Sequence, residues 1–178
     1  MPVVPSGLFT STDLATIFRA ASVAEKLTGT FFDLANDEWT RNPYGVFTRK
    51  AVDSTLYRED VFAQVVLCSA RRPVTPTVPL DEGFAIVLQD PTILRALLRA
   101  GSPDLWTLML FVLTHELVHI VRFRKFQIDC LAPASETERE EEEQVVHTLT
   151  RNILAGVTNT DLLLKRYESC VDSAWRVA

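Results

Sequence analysis

The 178-residue chain has few cysteines, and Cys68, Cys130 and Cys170 are odd in number, far apart and in no CxxC pair. That pattern argues against a disulfide framework and fits free thiols in a reducing compartment. Basic charge is also short, with 18 Lys and Arg against 23 Asp and Glu and a formal net charge of -5. Nucleic-acid affinity rests on clustered cations, so nucleic acid is not an expected partner. The opening MPVVPSGLFTSTD has no basic stretch followed by an apolar one. No signal peptide is predicted, and the default expectation is a cytoplasmic location. Long apolar runs are missing too. In LWTLMLFVLTHELVHIVRF only about ten apolar residues precede His115, against roughly 20 for a bilayer span, so no membrane association is expected. Repeats, flexible linkers and low-complexity tracts beyond one glutamate run are absent from the sequence.

What remains is an ordinary globular composition, 47% hydrophobic and 23% charged, in a length that suits one domain over residues 1–178. Residues 11–32 predict a packing helix, with Ser11 or Thr12 as N-cap and Leu14, Ile17, Phe18, Ala21 and Ala24 at helical spacing. RNPYG marks a turn, and GVFTRKAV predicts a short strand. FAQVVLCSARR (62–72) and GFAIVLQ (83–89) predict two further strands, separated by a connection that the prolines at 73, 76 and 79 keep from being helical.

Asp90 and Pro91 read as N-cap and first residue of a short helix stopping at Gly101. A helix from Ser102, Pro103 and Asp104 to about Lys125 is apolar around nearly its whole circumference, which predicts a central position. Arg122, Arg124 and Lys125 at its end are expected to complement the helix dipole. Ser135 and Glu138 form a capping box for a helix ending near Gly156, and a last helix is expected over 160–176.

Histidine is scarce, three in the whole chain, yet two of them stand in the greasiest helix as HELVH, residues 115–119. His115 and His119 are four positions apart, so their rings stand one turn apart and about 40 degrees apart around the axis. Two imidazoles so placed can grip one metal ion, while Glu116, offset by one position, can reach a water held there. Core histidines satisfied by backbone carbonyls are the alternative. Burying a carboxylate and two imidazoles without partners costs several kcal/mol, however, and one dication serves all three.

Zinc in a catalytic site takes three protein ligands and keeps one open position. The third must come from elsewhere, and the helix that holds Glu140, Glu141, Glu142, Glu143 and His147 is the candidate. Its periodicity turns Val145, Val146, Leu149 and Ile153 toward the core, with Glu142 near the centre of the stripe and Glu143 on its flank. Glu142, Glu143 and His147 therefore all stand as possible third ligands, and most of the glutamates are expected to be a solvated first turn.

HELVH with a downstream glutamate-bearing helix resembles the gluzincin group of zinc metallopeptidases, in particular its minimal single-domain and ImmA/IrrE-like members. The resemblance covers Val112 to about Leu154. It implies an α+β, zincin-like fold: a small sheet packed on a central HExxH helix, a glutamate-bearing helix and flanking helices. In that group the third ligand is a glutamate, followed four residues later by a polar residue supporting a metal-binding histidine, with an apolar position two further on. Glu143, His147 and Leu149 match that spacing, whereas Glu142 would put Val146 in the polar place. The metzincin pattern is excluded because Arg122 and Lys125 stand where it needs Gly and His.

The resemblance implies Zn²⁺ as cofactor, peptide or protein as substrate and Glu116 as general base. It also implies a group that stabilises the oxyanion, for which Tyr167, with Arg166 beside it, is the candidate. An upstream strand should line the cleft, and GFAIVLQ is the strand available for that edge. Cys130, between the two ligand segments, is expected as a small core residue rather than an inhibitory thiolate. A non-catalytic, zinc-stabilised regulatory or interaction module is the competing expectation. A metal-free helical packing domain is the third.

Overall fold

The structure is a computed structural model, and it describes residues 7–69, 82–99, 101–125 and 135–157. The expected helix over 160–176, Arg166, Tyr167, Cys130, Cys170 and the prolines at 73, 76 and 79 lie outside the described residues. Within them the chain is α+β, with five helices and one three-stranded sheet.

Helix α1 (Ser11–Phe31) is capped by Thr10, one residue before the expected cap. Thr10 wins because Asp13 stands three residues on: the Asp13 N–H donates to Thr10 Oγ1 at 3.2 Å, and the Thr10 N–H donates to Asp13 Oδ2 at 2.8 Å. The buried face of α1 also differs from the expected one. Ile17, Ala20, Ala24 and Thr28 are buried, while Leu14 is 45% and Phe18 74% exposed. Small side chains there let α1 lie close along the central helix, its main neighbour.

A single-turn helix, α2 (Glu38–Arg41), leads into β1 (Tyr44–Phe47), followed by β2 (Ala63–Ser69) and β3 (Glu82–Leu88). The spatial order is β1-β3-β2, with β3 parallel to β1 and antiparallel to β2. Residues 83–89 therefore do not provide a free edge. β3 is hydrogen-bonded on both sides, and β1 and β2 are the flanking strands, which corrects the expectation that GFAIVLQ lines a cleft. Alternation along β3 sends Phe84, Ile86 and Leu88 to the main core and Ala85 and Val87 to a smaller cluster with Phe47, Val52 and Cys68.

Helix α3 (Asp90–Leu97) begins at Asp90 itself, with Gln89 as cap. Helix α4 (Leu105–Lys125) is buried without a break from Thr107 to Val121. It is long and apolar enough to cross a bilayer, yet the most apolar part is 83% buried inside the fold. α1, α5 and the sheet surround it. Helix α5 (Glu136–Leu154) opens with the expected box, the Glu138 N–H donating to Ser135 Oγ at 3.2 Å and the Ser135 N–H to Glu138 Oε2 at 2.7 Å. After it Gly156 takes φ 87, a left-handed conformation that favours glycine, and Val157 packs against the main core.

The cations closing α4 act as tethers. Arg124 donates to the carbonyls of Asn42 and Pro43 at 2.8 and 3.1 Å, and Lys125 Nζ to that of Phe32 at 3.2 Å. Arg122 reaches α5, and that contact shapes the site.

Candidate metal centre

Two helices supply the ionisable groups. The residues of α4 that face α5 include His115 and His119, whose Nε2 atoms are 3.1 Å apart. On α5 the buried stripe is Glu143, Val146, His147, Thr150, Ile153 and Leu154. Its two leading polar members meet the histidines of α4. Glu143 Oε2 lies 3.3 Å from His115 Nε2, and Oε1 lies 3.3 Å from His119 Nε2, so the carboxylate straddles both rings. The His147 ring centroid is 5.0 Å from that of His115.

Adjacent glutamates take different tasks. Glu142 receives two hydrogen bonds from Arg122, Nε to Oε1 and Nη2 to Oε2, each 2.7 Å. Its carboxylate is thus committed to a guanidinium rather than to the histidines. Glu140 and Glu141 are exposed, as expected for an acidic first stretch. Of the three residues that spacing left open, Glu143 and His147 come to the histidine pair and Glu142 does not. The role of Arg122 was missed. Its position three residues after His119 was the available signal, since it puts the guanidinium one turn beyond that ring on the same side.

All five central groups are out of water: His115 and His119 at 0%, Glu116 at 2%, Glu143 at 4% and His147 at 7% exposure. Burial pushes the Glu116 carboxyl up to about 8, with Glu143 raising it further and His119 opposing. Burial likewise drives His115 down to about 4. For His119 burial also works against the charged ring, but Glu143, with Glu116 and Glu142 adding to it, outweighs burial and the net shift is upward. Against its own burial, Glu143 is held below the usual carboxylate range by the two imidazoles.

The donor set fits a metal ion. One proton shared between the imidazoles accounts for their contact, but both Glu143 oxygens are then buried with no hydrogen-bond partner among the described residues. Orphaned buried acceptors of this kind cost about 1–3 kcal/mol or more each. Ligand atoms held about 2.0–2.1 Å from a tetrahedral zinc stand about 3.3–3.4 Å from one another. Separations of 3.1, 3.3 and 3.3 Å between the two rings and the carboxylate are close to that figure. Hard dications that prefer all-oxygen shells suit two imidazoles less well.

An apolar groove of about 410 Å³ lies elsewhere, between α1 and β1, where Leu14, Phe18, Glu25, Tyr44 and Val46 line it. It contains none of the five central residues, and the partly exposed Leu14 and Phe18 belong to its lining.

No family model matches the chain, and no curated protein or solved structure matches it significantly.

Proposed function

We propose that this chain is a zinc-dependent metallopeptidase of zincin-like fold with a gluzincin-type ligand set of His115, His119 and Glu143. The observation that carries the reading is the Glu143 carboxylate, buried, without hydrogen-bond partners among the described residues, and set 3.3 Å from each of the two imidazoles. When bound, zinc supplies Lewis acidity, lowering the pKa of water toward neutrality and polarising a carbonyl.

The chain's own contribution is proton handling and exclusion of solvent. Glu116, one residue along α4 from His115 and 2% exposed, is the general base that accepts a proton from the attacking water and delivers it to the leaving amine of a peptide. Phe111, its ring centroid 6.4 Å from that of His115, and Phe123, stacked 5.7 Å from His119, set apolar rings against the two imidazoles. Tyr167, the oxyanion candidate, lies outside the described residues. A peptide pairing with the sheet by main-chain hydrogen bonds would use β1 or β2 rather than β3.

A second reading, a zinc-stabilised module without catalysis, draws on the same burial, because structural zinc sites are closed to solvent. Hydrolysis separates the two. The zinc-loaded chain should cleave unstructured peptides, and Glu116→Gln should keep one zinc per chain while slowing cleavage by about 10²–10⁴-fold. Cleavage by the variant at the parental rate removes Glu116 from the chemistry. Zinc binding with no cleavage of any peptide leaves the module reading standing in place of the enzyme.

A further inference from the structure

Glu143 and His147 are four residues apart on α5, as His115 and His119 are on α4, so each helix presents two donors one turn apart on one side. A ring nitrogen of His147, one of His115 and a carboxylate oxygen of Glu143 all lie within 4.8 Å of one another. Ring centroids are 4.8 Å apart for His115 and His119, and 5.0 Å apart for His115 and His147. Two imidazoles sharing one tetrahedral ion through ring nitrogens at ordinary bond lengths have centroids about 5.2 Å apart. His147 thus stands from His115 at nearly the same separation as His119 does.

The other task available to His147 is to support a liganding imidazole through its far nitrogen. That atom in His115 is Nδ1, and it is buried with no hydrogen-bond partner among the described residues. His147 therefore does not support His115 in that way.

We propose that His147 is a fourth protein ligand, so that His115, His119, Glu143 and His147 together close the coordination sphere of one ion in the resting protein. The inference rests on the zinc reading above and deepens it, because solvent or a substrate carbonyl then reaches the centre only when the His147 ring withdraws. Regulation of access is placed in one side chain on α5, next along its face from Glu143.

Zinc-edge X-ray absorption on the zinc-loaded full chain counts imidazoles directly. Three are expected in the wild type and two in His147→Ala, with zinc still bound one per chain and its affinity, measured by competition with a chromophoric chelator, at least tenfold weaker. Two imidazoles in the wild type, or an unchanged affinity in His147→Ala, overturns the fourth ligand and leaves the three-ligand centre intact. A wild-type chain that takes up no zinc overturns both. Should His147→Ala not fold, the wild-type spectrum alone decides between three and two.

Discussion

Arg122 and Glu142 form a two-pronged ion pair, 2.7 Å at each prong, that joins α4 to α5 one residue from Glu143. On a helix, consecutive residues point about 100 degrees apart, so holding Glu142 against Arg122 also decides which way Glu143 faces. The side chains are only 16% and 14% exposed, which places the pair between a surface bridge and a buried one.

Arg122→Met is therefore expected to cost about 1–3 kcal/mol, between the ranges for exposed and buried pairs. Zinc affinity should fall with it, although Arg122 touches no ligand. A double-mutant cycle with Glu142→Gln, read by urea unfolding, should recover part of the loss, since the second change removes the stranded carboxylate. Purely additive effects on stability and unchanged zinc affinity would show that the pair does not hold α5 in register.

The face assigned to α1 can be tested by two substitutions that sequence pattern alone would rank in the wrong order. Ala24 is fully buried and Phe18 is 74% exposed. Ala24→Leu adds three carbons where α1 lies against α4 and should destabilise by about 1–3 kcal/mol. Phe18→Ser should change stability by no more than about 0.5 kcal/mol. Thermal or urea unfolding of the two variants reads this directly, and a larger loss from Phe18→Ser would rotate the helix.

That comparison also shows what periodicity can and cannot reveal. α4 was legible because its apolar residues leave no polar face, and α5 because Ser135 and Glu138 spell a reciprocal cap. On α1 the apolar count favoured Leu14 and Phe18, but close packing against α4 selects small residues such as Ala20 and Ala24, and hydrophobicity does not register closeness. The position of β3 in the middle of the sheet was not legible either. Strand order β1-β3-β2 depends on non-local pairing between segments some forty residues apart. In the centre, HELVH brought His115, Glu116 and His119 together by helical geometry alone. Periodicity alone left Glu142, Glu143 and His147 open and only the family spacing favoured Glu143, because the rotation of α5 against α4 depends on a non-local contact such as that of Arg122, read from sequence only as a dipole partner, with Glu142.

Cys68 offers a check on the sheet independent of the metal centre. It is 2% exposed on the smaller core face of β2, and burial pushes its thiol above the ordinary value. A neutral, enclosed thiol reacts slowly, because thiolate is the nucleophile and contact with reagent is needed. Peptide mass spectrometry after brief treatment of folded protein with a thiol alkylating reagent at pH 8 should find Cys68 largely unmodified, with full labelling once urea unfolds the chain. Rapid labelling in the folded state would contradict its place under the sheet.

The three candidate glutamate and histidine positions on α5 should separate by their effect on zinc. Glu143 touches both imidazoles, His147 stands beside one, and Glu142 is bound to Arg122. Loss of Glu143 removes the only carboxylate among the described residues that meets both rings of the HExxH pair, so Glu143→Ala should lower zinc affinity the most, by a hundredfold or more at about 1.4 kcal/mol per factor of ten. Glu142→Ala should lower it only through the register of α5, and therefore less. Because an ion held by the folded chain alone stabilises it by mass action, adding zinc at about 100 times the dissociation constant should contribute about 2.7 kcal/mol to the wild type. The same addition should raise the melting temperature of Glu143→Ala little. Differential scanning calorimetry with and without zinc measures both, and equal zinc-dependent shifts in Glu142→Ala and Glu143→Ala would mean that the carboxylate between the histidines is not a ligand.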